Sequence, residues 1–333
     1  MATPEESIVD CDLAVVGAGP TGLFATYYAG FRGMRVALVD SLPELGGQIT
    51  AMYPEKAILD VAGFPSVKGR ELVEGLVAQA MSAKPELLLG RTATDLATDD
   101  DGLTLRLDDG SEVRAKALVV TAGIGTFSPR PLPAAEGWIG RGVEFFVPAF
   151  EPYRDRDVVI VGGGDSAFDW AIHLEPIARS VTLVHRRDAF RAHQRTVEQV
   201  RSSSARIVTR AEVAALRDAD GGTAGPLAEV ELSVDGVTQV LPAQAVVAAL
   251  GFIADLGPLQ RWGLETHRRH VVVDASMRTS LPRVFAAGDI TEYAGKVRLI
   301  AVGFGEAATA VNNAAVVIDP SAHVFPGHSS EGS

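Results

Sequence analysis

The chain has 333 residues, 47% of them apolar and 22% charged, with a formal net charge of -12, a length that implies about two domains, each able to bury its own core. The acidic balance disfavours nucleic acid and anionic membrane surfaces, both of which select basic proteins. Cys11 is the only cysteine, which excludes a redox cysteine pair, a cysteine-ligated iron–sulfur cluster and a disulfide framework within this chain.

In chain order, the first strand runs from Leu13 to Val16, with no basic, apolar leader before it and no apolar run approaching membrane-spanning length elsewhere. A cytoplasmic protein without membrane contact is expected. The strand enters the glycine turn Gly17-Ala-Gly19-Pro20-Thr21-Gly22, a helix over about 22–32 follows, and a second strand, Arg35 to Asp40, closes on an acid. Backbone N–H groups at a helix start cradle a pyrophosphate. An acid at the second strand end accepts hydrogen bonds from an unphosphorylated adenosine ribose, so this unit is expected to hold FAD.

Beyond it, Tyr53 in Gly46-Gly-Gln48-Ile-Thr-Ala-Met-Tyr53-Pro-Glu-Lys56 is either a core residue or an aromatic plane that stacks on the isoalloxazine. Gln48 can offer the ring edge an amide. Alternating residues Leu103 to Leu107, a turn at Asp108-Asp-Gly110 and an apolar strand over 117–123 complete the first half.

The second half repeats the order. Strand Val158 to Val161 leads into Gly162-Gly-Gly164-Asp165-Ser166-Ala167, a helix starts at Asp165, and strand Val181 to Val184 closes on His185-Arg186-Arg187, followed by Arg191. Arginines at that strand end suit a ribose 2′-phosphate, so this unit is expected to hold NADP(H). They belong to eight arginines between residues 179 and 210 (Arg179, Arg186, Arg187, Arg191, Arg195, Arg201, Arg206 and Arg210), a basic face that could meet an acidic partner. A loop over 218–226 and strands over 228–234 and 245–251 follow.

After Gly251 come a strand over 270–273, the run Val284-Phe-Ala-Ala-Gly288-Asp289 and a helix over about 304–318, too little for a third core. This segment is therefore assigned to the first domain. The expected fold is α/β, two Rossmann-like three-layer dinucleotide-binding domains with the NADP domain (123–252) inserted into the FAD domain (1–122 and 253–333). The crossings fall near Gly123 and Gly251, either a rotation point or a rigid junction. Asp289 either caps a local turn or accepts hydrogen bonds from ribityl hydroxyls, and the positive end of the last helix would face the flavin pyrimidine edge. No general acid or base and no metal site is legible. Trp138, Trp170 and Trp262 read as packing.

Five segments together resemble one family: Gly46 to Lys56, Asp60-Val-Ala-Gly-Phe-Pro65, Gly162 to Ala167, His185-Arg-Arg-Asp-Ala-Phe-Arg-Ala-His193 and Gly303-Phe-Gly-Glu-Ala307. They resemble the ferredoxin-NADP⁺ reductases of the thioredoxin-reductase-like type. The resemblance implies FAD-mediated hydride exchange with NADP(H), coupled to one-electron transfer with ferredoxin or flavodoxin, in a homodimer. It places FAD on Gly17, Gly19, Pro20, Thr21, Gly22, Asp40, Gln48, Tyr53, Ala93, Phe127, Asp289 and Ser330, with His328 over the ring face opposite Tyr53. The flavin so covered belongs to the same chain or to a dimer mate. Thioredoxin reductases share the architecture but carry a Cys-x-x-Cys where this chain has Gly164-Asp-Ser-Ala-Phe-Asp169. Two other readings stand beside this one: an NADPH-dependent flavin reductase of quinones or of a disulfide-bearing protein, and a nucleotide-binding redox sensor.

Overall fold

The computed structural model describes residues 7–325 and 327, except for the side chains at 126, 127 and 254. The chain divides into two compact units, residues 1–126 with 254–333 and residues 127–253, so the second is an insertion in the first. The crossings lie a few residues beyond the glycines at which the sequence suggested them. Gly123, Gly125 and Gly251 adopt φ values of +60°, +77° and +80° and finish turns, and the crossing segments are strands, Thr126–Pro129 and Phe252–Asp255, that pair with each other.

Six α-helices occur among the described residues: α1 (Pro20–Phe31), α2 (Gln48–Met52), α3 (Gly69–Ser82), α4 (Asp165–Leu174), α5 (Gln194–Arg201) and α6 (Ile300–Ile318). In the first unit a five-stranded parallel sheet has the order Val284–Ala286, Ala117–Val120, Leu13–Val16, Val36–Asp40, Glu86–Leu89. Apart from Asp40 at the end of one, its central strands are Val, Ala and Leu and are buried on both faces, the composition a parallel strand covered on two sides demands. The strand Val284–Ala286 arrives from beyond the insertion and pairs with Ala117–Val120, which is why the last segment cannot stand alone. Helix α1 packs against α3 and α6. A four-stranded sheet (Ile8–Asp10, Glu112–Ala115, Leu103–Leu107, Ala93–Thr98) contributes Leu105 and Val113 to the same core.

The second unit repeats the plan. Five parallel strands follow the order Val143–Glu144, Ala245–Ala248, Asp157–Val161, Ser180–Val184, Arg206–Val208. Helix α4 packs on the sheet and on α5, and an antiparallel sheet of Ala211–Asp218, Leu227–Val234 and Val237–Pro242 completes a separate core.

Helices α3 and α5 and the strands Glu86–Leu89, Ala93–Thr98 and Val237–Pro242 are additions to the sequence reading. Helix α6 starts at Ile300, four residues before the expected start. Gly303 lies inside it, and a β-carbon there would come within 2.5 Å of Thr21 Oγ1, so this glycine serves close packing. Helix α6 is also, by length and composition alone, apolar enough to cross a membrane, contrary to the reading that no such run exists. Its buried residues Ala307, Ala310, Val311 and Ala314 lie in the core of the first unit. Cys11 is buried, and burial pushes its thiol up to about 12, so it stays a protonated, unreactive thiol.

The topology predicts the behaviour of fragments. Residues 1–126 lack the edge strand Val284–Ala286 and α6, and expressed alone they are expected to be insoluble or without cooperative unfolding. Joining Thr126 to Ala254 by a short flexible linker is expected to restore a single cooperative urea transition. A cooperative transition from 1–126 alone would contradict this account of the core.

Candidate functional site

The three glycines of the first fingerprint meet three different constraints. Gly17 has φ +107°, and a β-carbon there would lie 2.5 Å from the Thr121 carbonyl oxygen. A β-carbon on Gly22 would collide with the Gly17 carbonyl, whereas one on Gly19 would meet nothing within 4 Å. The first glycine thus makes the turn, the third lets α1 close onto it, and the second faces open space, the division of roles a pyrophosphate cradle requires. Pro20 at the start of α1 sets φ without needing a partner for a missing N–H, and Thr21 and Gly22 supply the first donors of the helix.

The turn is clamped from two sides at Ala18. Its N–H donates to Asp40 Oδ2, and its carbonyl accepts from Gly46 N at 2.9 Å. Asp40 Oδ1 accepts from Leu42 N at 2.8 Å. Burial raises the Asp40 carboxyl above the ordinary carboxylate range, with the two N–H donors opposing. Asp40 therefore shapes the glycine turn itself, a role its strand-end position did not reveal. The segment before Ala93 abuts it, since Arg91 N donates to the Asp40 carbonyl at 3.0 Å, and Ala93 is buried. Gly47 (φ +58°) closes the other side, where a β-carbon would fall 2.9 Å from Gly19 Cα.

That same loop launches α2, with Gln48 at its first position and Tyr53 as its C-cap. Gln48 Nε2 lies 2.9 Å from where a Gly123 β-carbon would stand. Burial first, then the carboxylates of Asp289 and Asp60, push the Tyr53 phenol up to about 12. Tyr53 is only partly buried, and the structure brings it near Asp289. Burial raises the Asp289 carboxyl, opposed by Lys296 and Arg298, and Asp289 has no hydrogen-bond partner among the described residues. Thr21 wedges between Gly288 and Gly303, either of which would meet its Oγ1 with a β-carbon, at 2.8 and 2.5 Å. Helix α1, the Asp289 turn and the start of α6 thus meet at one point.

Around this turn lies a charged cluster that sequence reasoning missed. Glu306 Oε2 accepts from Gly288 N at 2.7 Å, and Glu306 Oε1 accepts from Lys296 Nζ and Tyr293 Oη, each at 2.5 Å. The two charged side chains are 2% and 5% exposed, so the ion pair is buried. The segment Gly303 to Ala307 was a family signal, but nothing in its spacing pointed to Lys296.

In the second unit, Gly162 packs against the Ala249 carbonyl, and a β-carbon on Gly164 would meet nothing within 4 Å, so the open cradle recurs at the start of α4. The arginine loop is tied to this turn: Arg191 N donates to the Gly163 carbonyl at 2.8 Å, and His193 N donates to Asp165 Oδ1 at 2.9 Å. The His185 ring packs on Gly163. Burial and the cations of Arg186, Arg187 and Arg191 lower its pKa. Ser166 is exposed beside the cradle. The side chains of Arg186, Arg187 and Arg191 are exposed and have no partner among the described residues. Other members of the basic cluster are engaged: Arg179 with Asp157, Arg210 with Asp188, and Arg201 over the Phe190 ring. Phe127 lies in the crossing strand, its side chain outside those described, and His328 and Ser330 lie outside the described residues.

Residues 11–314 match the family described as pyridine nucleotide-disulphide oxidoreductase. The chain is 75% identical to a ferredoxin–NADP reductase of Nocardioides sp. (strain ATCC BAA-499 / JS614), over 99% of this chain and all of that relative. It is 62% identical to one of Salinispora arenicola (strain CNS-205), over 97% and 99% of the two chains. The chain belongs to the ferredoxin–NADP reductase family. Among solved structures it is similar to the thioredoxin reductase of T. acidophilum, with a TM-score of 0.77 at 24% identity over 94% of this chain and 99% of that one. That likeness establishes the two-domain α/β fold. The lone buried Cys11 leaves this ferredoxin–NADP reductase family member without a cysteine pair for disulfide exchange.

The glycine geometry separates folding from binding. Gly22→Ala is expected to lower stability by about 1–3 kcal/mol through overpacking, and Gly19→Ala to leave it within about 0.5 kcal/mol. FAD retention on gel filtration is expected to fall sharply for Gly19→Ala despite its native stability. A Gly19→Ala protein that keeps its yellow colour would rule out the cradle.

Proposed function

We propose that this chain exchanges electrons between NADP(H) and ferredoxin through FAD held in the first unit. The observation that carries this reading is the pairing of two open glycine cradles with opposite strand ends, a buried acid in one unit and, in the other, arginines without partners among the described residues. Both cradles leave open space at the glycine before a helix start, Gly19 before α1 and Gly164 before α4, where the first N–H groups of a helix suit a pyrophosphate, so the residues fit the two dinucleotides. When bound, FAD supplies the ability to take an electron pair as hydride and release electrons singly.

The chain's own residues bind, orient and exclude. Thr21 and Gly22 direct N–H groups to the FAD pyrophosphate, and the Ala18–Asp40 clamp keeps that turn from relaxing. Ala93 packs near the adenine, Gln48 and Tyr53 define one side of the ring site, and Asp289 holds the ribityl hydroxyls. His328, Ser330 and Phe127 join this set on the family pattern. In the second unit, Gly162 and Gly164 with Ser166 receive the NADP(H) pyrophosphate. Arg186, Arg187 and Arg191 hold its 2′-phosphate. Asp165 keeps the arginine loop in place through His193 N. No side chain is assigned as a proton donor, because hydride and electron transfer require placement and field.

Ferredoxins and flavodoxins are acidic partners, and this chain is acidic overall. Docking follows the local patch, and we assign it to the basic face of the second unit, where Arg195 and Arg206 are exposed and have no partner among the described residues. The protein acts in the cytoplasm as a twofold dimer, the commonest closed assembly.

The decisive experiment is NADPH-driven reduction of cytochrome c by the yellow holoenzyme, which is expected to require added ferredoxin. Turnover of quinones or disulfides at the same rate without ferredoxin would overturn the reading. Replacing Arg186 and Arg187 by Ala is expected to raise KM for NADPH about tenfold or more, since each charge-assisted phosphate contact contributes about 1.5–3 kcal/mol. KM for NADH is expected to change little. Equal losses for both coenzymes would remove the 2′-phosphate assignment.

A further inference from the structure

We propose that Lys296 and Glu306 are positioning residues that lock the Gly288–Asp289 turn so that Asp289 faces the ribityl chain of FAD. The inference rests on the functional reading above and deepens it.

Both polar atoms of one peptide residue are held by one ion pair. Gly288 N donates to Glu306 Oε2 at 2.7 Å, and the Gly288 carbonyl accepts from Lys296 Nζ at 3.0 Å. Lys296 and Glu306 then meet each other at 2.5 Å. Thr291 Oγ1 donates to the same Gly288 carbonyl at 2.8 Å, and Tyr293 Oη donates to the Glu306 carboxylate. Gly288 has φ +81°, a conformation that a short turn can leave by rotating its peptides. Rotation of either flanking peptide would break a charge-assisted bond. It would also leave a buried charge with fewer partners, so the turn is held in one state.

Asp289 follows directly and, unlike Glu306, has no hydrogen-bond partner among the described residues. The acid that the protein satisfies and the acid that it leaves open are thus neighbours with different duties. A buried ion pair is a poor device for stability alone, because apolar residues of similar volume often serve as well. What it adds here is direction: it fixes a turn that also touches Thr21, at the start of the pyrophosphate-binding helix.

The test follows FAD dissociation from the holoenzyme by the rise of free-flavin fluorescence, in wild type, Lys296→Met, Lys296→Arg, Asp289→Ala and Asp289→Ala/Lys296→Met. Lys296→Met is expected to loosen FAD about tenfold or more, the loss of one charge-assisted bond, while Lys296→Arg recovers most of the affinity. In the Asp289→Ala background the same substitution is expected to change FAD affinity less than about twofold, because nothing remains to position. Equal effects in both backgrounds would show a merely structural ion pair and overturn the proposal. So would a folded Lys296→Met protein that binds FAD as wild type does. If Lys296→Met does not fold, Glu306→Gln, which keeps the shape of the side chain but removes the ion pair, is run through the same cycle with the same criteria. Wild-type protein that carries no FAD would defeat the functional reading, and this inference with it, before any variant is made.

Discussion

The peptide of Ala18 carries more of this structure than its small side chain suggests. Its N–H is taken by Asp40 and its carbonyl by Gly46, so the loop between the first strand and α1 is pinned to the end of the second strand and to the segment that launches α2. Once that peptide is fixed, Gly19 must face open space and α1 must start where its donors converge. Asp40 is buried at a cost to its charged form, and the two N–H groups that donate to it offset that cost only in part. The first unit therefore uses its strand-end acid to build the cradle.

The second unit reaches an equivalent cradle by other means. Its strand ends on His185 and arginines, and the clamp runs in the opposite direction: the arginine loop returns its own N–H groups to the Gly163 carbonyl and to Asp165. This leaves the guanidinium groups of Arg186, Arg187 and Arg191 without partners among the described residues while the backbone that carries them is held. Cations kept without internal partners on an ordered loop are suited to a ligand that brings its own charge. The contrast with Arg179 and Arg210, each satisfied by an aspartate, separates binding arginines from structural ones within one basic stretch.

Where the first unit receives its last segment, glycines again decide the geometry. Gly288 and Gly303 both yield space to Thr21, which lets the start of α1, the Asp289 turn and α6 approach within contact. A buried lysine and glutamate in that neighbourhood replace water as partners for the turn's backbone, since buried polar groups must be satisfied. Membership of the ferredoxin–NADP reductase family accords with a site built for placement, in which Asp40, Asp165, Lys296 and Glu306 hold backbone.

Much of this was legible in the chain. A strand, a glycine turn, a helix and a charged strand end lie within about 25 residues of one another, so local periodicity and spacing determined both dinucleotide units, their order and the insertion. The single cysteine excluded a cysteine pair within this chain. Helix α3 was visible in Leu72, Val73, Leu76 and Ala80 but went unread, whereas α5 buries only Val197 and Val200 and offers little pattern to read. Only the tertiary structure decided that Asp40 serves the turn, that Gly303 lies within a helix and that Lys296 and Glu306 grip Gly288. Those facts depend on atoms that chain folding brings together from distant or irregular segments, and hydrophobic periodicity carries no record of which carboxylate a buried N–H will find.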